Sequence, residues 1–321
     1  MAALAICTNK YISNIACGGM ACVFLLQDET GKKYAGKIYK KEYKKYAENE
    51  SNILKKLKDK LNGKDKNKFV EFIETCDFFP DEDIKIINQY DNFELKKGEK
   101  YEMIVMEYIE NYKELFNVIF IERQQIDINL VFLNILKVVQ LLHSLNICHL
   151  DLTLPNFLYS DDNKVKLIDF GGSQVGYTSV DIYGTKYYID PLMYLKYPPL
   201  YNCRKADIYS LGIIYLLLIF SENRLLLDIF NDFPKDKNYA TLAEFNKKIL
   251  NFINENDLKD LTTKEILNSM LSLDEKKRFN IDELVNLLEK KVVTDNILFE
   301  ILQSKDKINE FQSKYKINIL P

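Results

Sequence analysis

Residues 11–40 alternate apolar runs with glycine-containing turns, YISNIACGGMACVFLLQ, DETGKK and YAGKIYK, a punctuation that predicts a hairpin followed by a third strand. In ENESNILKKL, the stretch 48–57 that includes Glu50, the residues Ile53, Leu54 and Leu57 fall at helical spacing and form an apolar stripe. Residues 69–79 and 101–108 read as two further strands. The charged stretch between them, PDEDIKIINQYDNFELKKGEK, reads as a solvated insertion. From 127 to 146, Ile128, Val131, Phe132, Ile135, Val138, Val139 and Leu142 repeat at i, i+3, i+4 and i+7, the pattern of a helix packed on a core. The longest apolar run, 208–220, is too short to span a bilayer and reads as a buried helix. DELVNLLEKK and DNILFEILQ, near the end, also look helical.

Composition narrows the class without naming a function. A chain of 321 residues with 47% apolar content can bury a sizeable core in one large domain or two smaller ones. Its formal charge of −3 supplies no global field for nucleic acid or an anionic membrane. Residues 1–68 carry 15 Lys against 7 acids, and residues 69–110 carry 4 Lys against 12. This asymmetry reads as neighbouring solvated surfaces of opposite sign, with a basic docking face as the alternative. Six scattered cysteines without a CxxC pair, and only two histidines, predict reduced thiols in a cytosolic setting rather than a disulfide framework or a zinc site. The first ten residues show no secretory leader, and Ala2 stands where myristoylation needs glycine.

The chemistry concentrates in one stretch, NICHLDLTLPNFLYSDDNKVKLIDFG, residues 146–171. It holds a carboxylate at Asp151, an amide at Asn156 and a second carboxylate at Asp169. Such groups can accept a hydroxyl proton and hold Mg²⁺ against a triphosphate. Asp161 and Asp162 read as turn residues between two short strands. The stretch resembles the catalytic and metal-binding loops of the eukaryotic protein kinases, HRDLxxxN followed by DFG, at His149, Asp151, Leu152, Asn156, Asp169, Phe170 and Gly171. Two positions depart from the pattern: Leu150 replaces the usual Arg, and Thr153 replaces the Lys that touches the transferred phosphate.

The resemblance runs in order from Ile15 to about Leu288. It implies an α+β, bilobal fold: a small antiparallel-sheet lobe with one helix at 1–107, a larger, mainly helical lobe at 108–290, and an extra helical segment at 291–321. The Gly-rich loop is represented by Ala16, Gly18, Ala21 and Val23, so only the central glycine is kept. Lys37 matches the phosphate-gripping lysine, with Glu50 as its partner and Glu48 as the competing choice. Around the nucleotide the resemblance places Ile15, Gly18, Val23, Ala35, the gatekeeper Met106, the backbone of Glu107 and Ile109, and Leu158. Asp151 takes the catalytic role, and Asn156 and Asp169 hold Mg²⁺. His149 supports the loop beneath Phe170, while His143 reads as an ordinary, partly buried histidine.

Gly184, Thr185, Tyr188 and Pro191 match GTxxYxxP, in which Thr185 bonds Asp151. Leu192 replaces the Glu that normally pairs with Arg278, so Arg278 is expected to find another acid or to be exposed. Asp207, Tyr209, Ser210 and Gly212 match DxYSxG, where the Asp accepts N–H bonds from the catalytic loop. The implied activity is transfer of the ATP γ-phosphoryl group to Ser/Thr hydroxyls of protein substrates by a cytoplasmic enzyme. It would not depend on phosphorylation at Tyr177, Thr178, Ser179 or Tyr183. A pseudokinase or ATP-binding scaffold is the alternative reading, and a small-molecule kinase a more distant one. HLDLT also resembles the apicomplexan FIKK kinases. The oligomeric state stays open.

Overall fold

The computed structural model describes residues 5–87, 92–179, 184–195, 201–236, 238–256, 258 and 260–303. The alternating first segment forms β2 (Lys10–Cys17), β3 (Ala21–Gln27) and β4 (Lys33–Tyr39), which follow a two-residue β1 (Ala5–Ile6). Next come helix α1 (Lys44–Lys60) and strands β5 (Phe72–Phe78), β6 (Ile84–Ile87), β7 (Asn92–Leu95) and β8 (Tyr101–Glu107). The main sheet has the order β1-β5-β8-β4-β3-β2 and is antiparallel except where β1 joins β5. Side chains alternate across such strands. Thus Cys22, Phe24 and Leu26 bury one face, with Val105 and Met103. The register opposes Val23 to Lys37 and Lys37 to Ile104, which places these three on the other face.

The stretch between β5 and β8 is not a solvated insertion. β6 and β7 pair as an antiparallel hairpin, and Ile84, Phe93 and Leu95 are buried with Phe24 and Leu26 on the outer face of the sheet. Its charges lie on the hairpin's exposed side, in pairs such as Lys85–Glu94 at 3.3 Å. Charge density concealed the apolar half of the alternation.

The cysteines correct a second expectation. They are not free thiols: Cys7–Cys76, Cys17–Cys22 and Cys148–Cys203 are disulfides, with Cα separations of 5.3, 4.1 and 5.9 Å. Pairing β1 with β5 brings Cys7 to Cys76, and Cys17 and Cys22 face each other across the β2–β3 hairpin. These neighbours are made by the fold, so spacing along the chain could not reveal them. The cysteine argument for a reducing compartment falls with the free thiols.

The second lobe is mainly helical. α2 (Ile128–Ser144) starts at an Asp127 cap that accepts the Leu130 N–H at 3.0 Å. Its path continues through short strands β9 (Lys113–Glu114, before α2), β10 (Ile147–Cys148), β11 (Phe157–Tyr159), β12 (Val165–Leu167) and β13 (Gln174–Val175). α3 (Cys203–Ile219) is buried on every side, as its unbroken apolar run requires. Around it lie α4 (Arg224–Asn231), α5 (Tyr239–Glu255), α6 (Leu261–Met270) and α7 (Ile281–Gln303). Phe132 of α2 stacks on Tyr215 of α3 with ring centres 4.1 Å apart. α7 passes residue 290 without a break, and 304–321 lie outside the described residues. No helix among the described residues is long and apolar enough to cross a membrane.

Candidate active site

Lys37 lies near the end of β4 and is 6% exposed, a cost that its partners must offset. Its ammonium lies 3.0 Å from Glu50 Oε2 on α1 and 2.7 Å from Asp169 Oδ1. Glu50 is fully buried, and its Oε1 also accepts the Phe170 N–H at 3.0 Å. Glu48, the competitor, points outward to Lys44 at 3.7 Å. Burial alone would pull the Lys37 pKa down, but the charges of Asp169 and Glu50 outweigh it and hold the ammonium well above the usual lysine range. Burial likewise pushes Asp169 up, and the Lys37 charge and hydrogen bond reverse this, leaving a carboxyl below its ordinary value. The Asp169 side chain remains 39% accessible, so this ion pair opens on solvent.

Asp151 sits on a backbone held from behind. Asp207, fully buried in α3, accepts the His149 N–H at 2.9 Å and the Leu150 N–H at 2.8 Å, and its Oδ2 is also 2.8 Å from His143 Nε2. Leu150 has a left-handed φ of 65° and Asp169 one of 63°. Such strain in non-glycine residues persists where surrounding bonds over-determine it. His149 packs edge-on against Phe170 at 5.2 Å. Its Nε2 lies 3.2 Å from the Ile168 carbonyl and Nδ1 accepts the Asp151 N–H at 3.3 Å, which assigns the ring proton to Nε2. Both the N–H and the hydroxyl of Thr185 donate to Asp151 Oδ1, at 2.8 and 2.7 Å. Burial still raises the Asp151 carboxyl, partly opposed by the Thr185 hydroxyl and reinforced by the negative charge of Asp169. Asn156 donates from Nδ2 to the Asp151 carbonyl at 2.8 Å, which leaves its amide oxygen available.

Val23, Ala35, Lys37 and Met106 share a sheet face, since Ala35 opposes Met106 across β4 and β8. Leu158 lies on β11, half-buried. Glu107 donates its N–H to the Glu71 carbonyl at 3.0 Å. Its carboxylate pairs with Lys166 at 2.5 Å. Ile109 packs half-buried against the larger core. Ile15 is 44% exposed on β2, and a Cβ on Gly18 would meet nothing within 4 Å.

The sequence profile of the protein kinase domain family matches residues 10–288. The chain belongs to the protein kinase family. Its relatives include the serine/threonine-protein kinase pakE of Dictyostelium discoideum, 42% identical over 95 residues, which cover 28% of this chain and 10% of that protein. A probable serine/threonine-protein kinase of the same organism is 29% identical over 205 residues, 60% of this chain and 22% of that protein. Calcium-dependent protein kinase 25 of Arabidopsis thaliana is 44% identical over 92 residues, 26% of this chain and 17% of that protein. The matched segments therefore cover between a tenth and just under a quarter of the length of these relatives.

Three residues of this kinase domain were not singled out by sequence. Asp190 takes Arg278: Nη2 donates to Oδ1 at 2.9 Å and Nη1 to Oδ2, while Nε donates to the Ser272 carbonyl at 2.7 Å. The guanidinium is 2% exposed, so the acid that replaces the missing partner lies two residues before Leu192. Tyr39 donates its hydroxyl to Glu50 Oε2 at 2.7 Å, and Asn49 donates to the carbonyls of Gly171 and Ser173 at 3.0 and 2.6 Å. Strand period places Tyr39 on the same face as Lys37, a signal present in the sequence.

Proposed function

We propose that this kinase domain transfers the γ-phosphoryl group of ATP to Ser or Thr hydroxyls of protein substrates. What carries the reading is one buried ammonium, Lys37, held between Glu50 and Asp169, with Asp151 and its Thr185 contacts close enough to Asp169 for their charges to interact. Phosphoryl transfer asks mainly for positioning and charge neutralisation. Lys37 would grip the α- and β-phosphates, and Val23, Ala35, Met106 and Leu158 would enclose the adenine. Asp151 would orient the incoming hydroxyl and take its proton as the new P–O bond forms and the bond to ADP breaks.

The remaining donors suit Mg²⁺: Asp169 Oδ2 and the Asn156 amide oxygen are hard oxygens. The ion would neutralise phosphate oxygens, while Asn156 and Asp169 hold it and Lys37 keeps Asp169 ionised. A catalytically silent ATP binder is the second reading, favoured by Thr153, an uncharged side chain only 3% exposed where the family carries a phosphate-touching lysine. Radiolabelled ATP with a generic protein panel, followed by phosphoamino-acid analysis, separates the two. Label on serine or threonine that disappears with Asp151→Asn and Asp169→Ala supports the kinase. Label equal to those controls, or on tyrosine alone, overturns it.

A further inference from the structure

Helix α1 meets the segment after β12 through groups that involve no phosphate. The Tyr39 phenol fills the space between β4, α1 and Gly171: its oxygen is 2.7 Å from Glu50 Oε2, and Lys37 Nζ lies 4.8 Å from its ring centre. A Cβ added at Gly171 would lie 2.5 Å from that oxygen and 3.5 Å from Tyr39 Cζ. Glu50 thereby receives Lys37 and Tyr39 on Oε2, and Lys37 and the Phe170 N–H on Oε1, which occupies both oxygens of a carboxylate with no access to water. One residue earlier on α1, Asn49 ties the Gly171 and Ser173 carbonyls.

We infer that Tyr39 and Asn49 are positioning residues that lock α1 onto residues 169–173, so that Lys37, Glu50 and Asp169 stay assembled without a phosphorylated side chain. This rests on the kinase reading above. Neither residue touches substrate. They act through Glu50 and through the backbone that carries Asp169. A hydroxyl donated to a buried carboxylate is worth more than a neutral hydrogen bond, because its loss leaves the acceptor short of a partner.

The test uses the full chain, treated with phosphatase, in four variants. Tyr39→Phe keeps the ring and Asn49→Asp keeps the size, so a packing role predicts little change for either. The lock predicts that each lowers kcat about tenfold while the KM for the protein substrate stays within about twofold. Gly171→Ala alone forces its methyl against the Tyr39 oxygen; with Tyr39→Phe the nearest ring atom is at an ordinary contact distance. The double variant should therefore turn over faster than Gly171→Ala, although Tyr39→Phe alone is a loss. Hydrogen exchange gives a second readout independent of turnover: amides in α1 and in 169–173 should exchange faster in Tyr39→Phe and Asn49→Asp, with β3 and β8 unchanged. Wild-type turnover above an Asp151→Asn control judges the kinase reading by itself. If the wild type turns over and both isosteric variants match it in kcat and exchange, the lock is wrong. If the wild type is silent, the kinase reading fails, and unchanged exchange would then remove the lock as well.

Discussion

Asp151 is poised between two influences, and Thr185 is the adjustable one. Burial and the nearby Asp169 raise its pKa above the ordinary 3.8, while the Thr185 hydroxyl lowers it. A base must be ionised to accept a proton, so activity should fall as pH drops through this raised value. Thr185→Ala removes the stabilising hydroxyl and leaves the N–H contact. Its acid limb should move to higher pH and kcat at neutral pH should fall about tenfold, with Thr185→Ser restoring both. Superimposable kcat–pH profiles for the three proteins would show that the hydroxyl does not tune Asp151. Arg278 presents the stability counterpart. Asp190→Ala leaves a guanidinium buried without its acid and should cost about 3–5 kcal/mol in urea unfolding, whereas the double change with Arg278→Met should recover most of that loss. That Arg278 would find another acid or be exposed was readable from Leu192; that the acid is Asp190 was not, because Asp190 reaches it only through the turn that it caps by accepting the Leu192 N–H.

At the scale of elements, the stripes of α1 and α2 and the continuous run of α3 were legible because each is a repeat within one segment. The β6–β7 hairpin and the three disulfides were not, since both depend on which strands become neighbours. Closing the long Cys7–Cys76 loop removes more unfolded-chain entropy than closing Cys17–Cys22, about 4 against about 2 kcal/mol by loop length. Cys7→Ser should accordingly lower the denaturation midpoint more than Cys22→Ser. Thiol titration of the chain unfolded without reductant should find no free thiol, and after reduction six. Six thiols before reduction would mean that the pairs are only proximities, and would return the chain to the redox class its spacing suggests.

Across the whole molecule, the contacts that assemble the site lead to carboxylates or to apolar packing rather than to a phosphate. Lys37 and Glu50 tie the sheet to Asp169 and Phe170, Asp207 holds the catalytic loop to α3, and Asp190 holds Arg278. Leu150, in the family's arginine position, is 6% exposed and packs with Ile189, Met193 and Cys203. The Arg204 guanidinium stacks on the Tyr177 ring at 4.2 Å and donates to the His143 carbonyl. Tyr183 lies outside the described residues. We propose that the site needs no added charge to close. Replacing Tyr177 and Tyr183 by Phe, which preserves the Tyr177 ring on Arg204, and Thr178 and Ser179 by Ala should leave kcat/KM of the recombinant chain within about threefold, because the contacts described for Asp151 and Asp169 come from Thr185, Lys37 and Gly171. Loss of activity in that variant, recovered by a phosphomimetic at one of the four positions, would mean that the segment depends on phosphate after all. Leu150→Arg should then be beneficial; if apolar cohesion is what holds the segment, it buries an unpartnered charge against Ile189 and Met193 and lowers both stability and turnover.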